Sequence, residues 1–126
     1  MKEESKGLRH VYRSTLNSLR GLRFAFRNEN AFRQEILLVL ILLPFSFFLA
    51  NNLVEWLLLV IPLFILIITE LLNSAIESAV DRVGNEFHKL SGAAKDMASA
   101  AVFINLLLIL LDWGAFILRY FDILKF

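Results

Sequence analysis

The chain has 126 residues, is 58% hydrophobic and carries a formal net charge of +1, with a mean hydropathy of +0.65. That balance is too apolar for a soluble domain of this size and points to one integral-membrane unit over residues 1–126. Cysteine is absent, which excludes a disulfide scaffold and a thiolate metal site.

The N-terminal segment is polar and basic. Leu8, Val11, Tyr12, Leu16, Leu19, Leu22 and Phe26 recur at helical spacing, with Arg9, Arg13, Arg20 and Arg27 largely on the opposite face. The pattern predicts an amphipathic helix over about residues 6–27, lying in the headgroup plane with its arginines toward anionic lipid. An unstructured stop-transfer flank is the plainer alternative. Asn28 and Asn30 are candidate caps for the next turn, and Glu29 reads as a first-turn acid favoured by the helix dipole. Spacing alone gives Glu29 no catalytic role. The first apolar run starts only near Ile36, behind this long basic stretch, which is unlike a secretory signal peptide.

Three membrane spans are predicted next, over about residues 31–50, 53–80 and 96–118. Pro44 and Pro62 fall inside apolar runs, where membrane helices tolerate them. A soluble bundle would interrupt such runs with polar residues every few positions. Basic residues set the orientation: Lys2, Lys6, Arg9, Arg13, Arg20, Arg23, Arg27 and Arg33 precede the first span, the Asn51–Asn52 loop has none, and Arg82, Lys89 and Lys95 flank the second loop. The N-terminus and the second loop are therefore expected in the cytoplasm and the C-terminus outside.

The second span runs into ELLNSAIESAVD, residues 70–81. If the helix continues, ~3.6 residues per turn aligns Glu70, Asn73, Glu77 and Asp81 on one stripe. Acids at membrane depth cost about 3 kcal/mol each on insertion scales and are rarely kept without a role. Carboxylates with an amide suit holding a divalent cation and removing a proton. Interhelical packing is the plainer reading of this stripe, and for Asp81, beside Arg82 and Gly84, a solvated helix end serves equally well.

In the loop that follows, Gly84 fits a helix C-cap and Ser91 an N-cap for the third span. Lys95 and Asp96 then fall in early turns, where backbone amides favour phosphate. Lys95 reads either as a phosphate contact or as a snorkelling interface lysine, and His88 as a solvated loop residue. Small residues cluster at Ser74, Ala75, Ser78 and Ala79 and again from Gly92 to Ala101, which allows close helix contact and suggests self-association. No P-loop, dinucleotide fingerprint, protein-kinase motif or zinc signature occurs, and nothing points to nucleic acid.

NENAFRQE (28–35), ELLNSAIESAVDR (70–82) and GNEFHKLSGAAKDMASAAV (84–102) together resemble the prokaryotic diacylglycerol kinases. These are small integral-membrane lipid kinases unrelated to soluble kinases. The resemblance implies an all-α homotrimer with a surface helix and three transmembrane helices per protomer, in the bacterial inner membrane. It implies sites between protomers, ATP and Mg²⁺, and a membrane lipid substrate. Residue by residue, it makes Glu70 the base that takes the lipid hydroxyl proton and gives Glu29 and Glu77 the metal. Asn73, Lys95 and Asp96 match residues around the phosphates, and Glu86, Phe87 and His88 the segment near the nucleotide base. Ala31, Gln34, Glu35 and Ser99, with Glu70, match the lipid-side lining. Asn17 stands where some members carry an aromatic residue, and Ala93 where others carry a basic one.

The implied reaction is ATP-dependent phosphorylation of diacylglycerol to phosphatidic acid. Some members act on undecaprenol instead; RGLRFAFRNENAFRQE (20–35) looks more like the diacylglycerol branch. A small non-enzymatic transporter using Glu70 for ion coupling is the rival from another class, but three unlike spans do not form its inverted repeats.

Overall fold

The computed structural model describes residues 2–126, with side chains from residue 6 onward; the Lys2 side chain, counted above in the basic flank, lies outside them. Four helices form among the described residues: α1 (Lys2–Asn28), α2 (Asn30–Leu49), α3 (Leu53–Val83) and α4 (Lys89–Tyr120). The last three are each long and apolar enough to cross a membrane. The fold is all-α, as the apolar periodicity requires.

The apolar side chains of α1, including Leu8, Val11, Tyr12 and Leu19, are exposed, whereas Ala25 is buried. A stripe left bare on one side suits a helix lying on a lipid surface. The asparagines do not cap α2. Asn28 ends α1, its Nδ2 donating to Phe24 O at 2.9 Å, and Asn30 already belongs to α2. Glu29 itself stands in extended conformation at the N-cap, and its side chain makes no capping hydrogen bond. Arg33 acts on the other side of the joint, at the end of α1. Its Nη1 donates to Phe26 O and Arg27 O, both at 2.9 Å, and its Nη2 to Asn30 Oδ1 at 3.1 Å. A cation from the next helix thus satisfies the orphan carbonyls that end α1.

Helix α3 is central, packing most closely on α4 and next on α2. The core joins Val39 of α2, Leu59, Leu63 and Leu66 of α3, and Val102, Ile109, Trp113 and Phe116 of α4. Proline cannot supply the N–H of its own turn, and polar side chains of α4 bond the backbone around Pro62. Asn105 Nδ2 donates to Pro62 O at 3.1 Å and Trp113 Nε1 to Leu59 O at 3.0 Å. Most other apolar side chains, such as Leu40, Phe47, Leu58, Ile68 and Leu110, remain exposed. So much bare apolar surface requires lipid or another chain around it.

At the Asn51–Asn52 end the three long helices are tied together. Asn52 Oδ1 accepts from Glu55 N at 2.9 Å, while Glu55 Oε2 accepts from Asn51 N at 2.8 Å. Arg119 grips Glu55 with both nitrogens, at 2.7 and 2.8 Å, and its Nη2 also donates to Leu49 O at 3.1 Å. Beyond α4, Ile123 N bonds Leu118 O and Asp122 N bonds Arg119 O, with Asp122 at φ 57. This is a Schellman ending in which an aspartate takes the left-handed position. The reversal brings Phe126 over the Arg119 guanidinium, 4.6 Å from the ring centre.

The opposite connection is short. Gly84 ends α3 in an extended conformation, in the expected C-cap position. Ser91 is not the N-cap of α4: His88 is, its Nδ1 accepting from Leu90 N at 3.1 Å. A ring nitrogen satisfies the orphan amide that a serine hydroxyl was expected to take, so the helix begins one turn earlier.

Candidate active site

The stripe on α3 forms as the spacing predicts, and Glu70 lies at its apolar end, only 3% exposed. Ser74 Oγ donates to Glu70 Oε1 at 3.5 Å and Asn73 Nδ2 to Glu77 Oε1 at 3.5 Å. Counting ~1.5 Å per residue from Leu53, Glu70 lies about 26 Å along α3 and Glu77 about 36 Å. A hydrocarbon core is about 30 Å thick. With Leu53 at one boundary, Glu70 falls just inside the far one and Glu77 just beyond it.

Helix α2 brings a second carboxyl to Glu70. Glu35 and Glu70 are close neighbours, yet Glu35 Oε2 finds no hydrogen-bond partner among the described residues. Two carboxylates this close repel unless a proton or a cation lies between them. Glu35 Oε2 is free to accept one more donor, such as the hydroxyl of an alcohol. Placed on different spans, the two glutamates gave no sequence signal of their contact. Ser74, read from sequence only as a small packing residue, is the other contributor that spacing missed.

Glu29 lines a cleft of about 570 Å³ between α1 and α3, walled by Leu22, Phe24, Ala25, Leu71 and Ala75 and by the hydroxyls of Ser18, Ser74 and Ser78. Glu77 and Asn73 are not among its lining residues. Among the described residues no three His, Asp or Glu side chains form a metal cluster. Magnesium asks for less than that, since one or two carboxylates with waters and phosphate oxygens suffice. Asn73 Oδ1, buried and without a hydrogen-bond partner among the described residues, offers a hard oxygen beside Glu77. Glu77 with Asn73 therefore fits Mg²⁺ brought by a nucleotide.

The residues expected near the nucleotide gather at the turn between α3 and α4. Asp81, Glu86, Phe87, His88 and Lys95 line a cleft of about 360 Å³ with Gly84, Asn85, Ser91 and Gly92. Lys95 Nζ pairs with Asp81, which answers the question left open for that aspartate: the helix continues past it and its carboxylate holds a lysine. Phe87 is 95% exposed, a bare aromatic face at the cleft mouth. Asp96 and Ser99 are exposed on α4, and Ala31 and Gln34 on α2. Of the expected lipid-side residues, Glu35 is beside Glu70.

A buried Glu70 with a half-buried Glu35 beside it, an apolar-walled cleft and a polar cleft at the α3–α4 turn, carried on helices apolar enough to cross a membrane, suit an integral-membrane enzyme. The comparisons with known proteins agree. The sequence profile of the prokaryotic diacylglycerol kinases matches residues 16–117. A diacylglycerol kinase of Haemophilus influenzae is 48% identical over 88% of this chain and 94% of its own length. One from Helicobacter pylori is 42% identical over 94% and 92%, and one from Escherichia coli K12 is 39% identical over 96% and 99%. The chain belongs to the prokaryotic diacylglycerol kinase family.

Proposed function

We propose that the protein transfers the γ-phosphoryl group of ATP to the free hydroxyl of diacylglycerol, giving phosphatidic acid and ADP. The reaction takes place at the cytoplasmic face of a bacterial inner membrane. The observation that carries this reading is the split position of the acids along α3. Glu70 follows directly on the apolar run of α3, and Glu77 lies about two turns farther toward the polar α3–α4 turn.

Glu70 takes the proton of the acceptor hydroxyl as that oxygen bonds to the γ-phosphorus and the bond from phosphorus to the ADP oxygen breaks. Glu35, facing Glu70, holds the hydroxyl in line, and the apolar wall of the cleft beside them accepts the acyl region. Glu77 and Asn73, with Glu29, hold the metal–triphosphate end. Mg²⁺, when bound with ATP, neutralises phosphate charge and orients the transferring group. Lys95 exchanges its Asp81 partner for phosphate, and Asp96 stands beside it. The segment from Glu86 to His88 closes on the nucleotide base. Ala31, Gln34 and Ser99 extend the lipid side. Phosphoryl transfer asks mainly for positioning and charge neutralisation, which this set supplies.

The working unit is a homotrimer. Small residues on α3 and α4 permit close approach of a neighbouring protomer, and much apolar surface of the single chain is left uncovered. The basic N-terminal flank and the turn between α3 and α4 then face the cytoplasm, where ATP is available. The deciding assay supplies MgATP to the purified protein in mixed micelles, with diacylglycerol and undecaprenol offered in parallel. Preferential phosphorylation of diacylglycerol is expected. Equal or greater use of undecaprenol would reassign the substrate, and transfer to neither lipid would remove the reading.

A further inference from the structure

Glu29 reaches its cleft without any anchor of its own: its side chain makes no capping hydrogen bond, and it stands at the single extended joint between two helices. The position of its carboxylate therefore depends on the angle of that joint. Glu29 N bonds Ala25 O at 2.8 Å, and the longer contact from Arg33 N to Glu29 O is 3.3 Å. Two backbone bonds along the chain do not fix a helix–helix angle. The Arg33 guanidinium crosses the joint instead, holding two terminal carbonyls of α1 and the Asn30 amide oxygen of α2 in one planar fork. Such a fork is rigid in a way an ammonium is not. The same joint carries one wall of the cleft, because Ser18, Leu22, Phe24 and Ala25 all belong to α1.

We infer that Arg33 is a positioning residue: a brace across the α1–α2 elbow that sets Glu29 and the α1 wall of the cleft against α3. Arg33 touches no substrate in this role; it acts through Glu29 and the helix it holds. The inference rests on the reading of Glu29 as a metal–nucleotide acid, and the test separates the two.

Spin labels at Thr15 of α1 and Ser78 of α3 report the cleft width in the full-length protein in micelles. Arg33→Met, which removes every donor while keeping the apolar stem, should broaden that distance distribution. It should also raise KM for MgATP by about 10-fold to 100-fold, the scale of a displacement near 1 Å, with kcat changed much less. Arg33→Lys, one donor group without the fork, should fall between, and Asn30→Ala, which loses only the third acceptor, should show the mild form if Arg33→Met fails to fold. An unchanged distance with lost activity would make Arg33 a direct substrate contact and overturn the brace. A broadened distance with unchanged KM would also overturn it, provided Glu29→Gln itself raises KM. If Glu29→Gln is silent, the metal reading of Glu29 falls, and the brace then stands or falls on the distance and on KM for the lipid.

Discussion

Replacing Glu70 by glutamine tests the chemistry and the fold together, because the two should move in opposite directions. The amide keeps the shape of the carboxyl but cannot accept the hydroxyl proton. Loss of a general base lowers turnover by at least about 10²-fold, equivalent to about 2.7 kcal/mol in the barrier. The structure gives the stability side. Glutamine still accepts from Ser74 Oγ, and its Nε2 becomes a donor toward the facing Glu35 carboxyl, which has an oxygen without a partner. A hydrogen bond to a charged acceptor contributes about 1.5–3 kcal/mol, and the carboxyl–carboxyl repulsion disappears with it. Glu70→Gln should therefore melt at or above the native temperature, as expected where function keeps a destabilised site. The assay pairs ADP release with thermal unfolding followed by circular dichroism, in one detergent–lipid mixture. Near-normal turnover would remove Glu70 as the base. Lost turnover with a lowered melting temperature would mean that the substitution damages the bundle, and the carboxyl pair would then be structural.

Glu77→Gln and Glu29→Gln should each weaken activity in a manner that added Mg²⁺ partly restores, and the double variant should lose less than the sum, because both act on one metal–nucleotide unit; additive losses blind to Mg²⁺ would return Glu29 to a plain helix-start role. Glu55→Arg and Arg119→Glu should each lower the melting temperature, with the double exchange recovering part of the loss while MgATP affinity stays unchanged throughout; a changed KM would tie the far end of the bundle to catalysis. Mixing inactive Glu70→Gln chains with chains altered at Asp96 should restore some activity if sites are shared between protomers, and no recovery in co-assembled mixtures would place each site within one chain.

What was legible in the sequence follows from how strongly each residue is constrained by its own neighbourhood along the chain. The three spans could be read because lipid forbids polar interruptions, and the Glu70–Glu77 stripe because helical period alone aligns it. Gly84 was legible as a local ending. Contacts between helices were not. The Glu35–Glu70 pair, the Arg119 grip on Glu55 and the Arg33 brace each join residues whose approach depends on packing angles. The charge pattern marked Arg33 only as part of the basic flank, and only the family resemblance marked Glu35, as lipid-side lining. The N-cap of α4 failed for a different reason. Serine has the stronger general preference, but Ser91 sits in a run that continues the helix backward, and the His88 ring nitrogen closes it first.

The two ends of the bundle differ in how far their polar groups are satisfied, and that asymmetry bears on how a chain this small holds Glu70 and Glu35 together. Near Asn51 and Asn52, Glu55 receives the Arg119 fork and a backbone amide, and Arg119 also takes the Leu49 carbonyl; only Asp112 Oδ2, about two turns earlier on α4, is left without a partner among the described residues. Midway, Asn105 and Trp113 hold the α3 backbone around its proline. At the other end, oxygens of Glu35 and Asn73 are left without donors, and Glu70 is buried with only long hydrogen bonds to Ser74. A buried polar group without a partner is destabilising, so the open end persists only because the closed end and the Leu59, Leu63 and Leu66 core hold the helices in register. An alcohol hydroxyl and a metal-bound triphosphate supply the donor and the cation this end lacks. Substrate binding should thus stabilise the protein as well as start the reaction, by the ordinary linkage of ligand to the folded state.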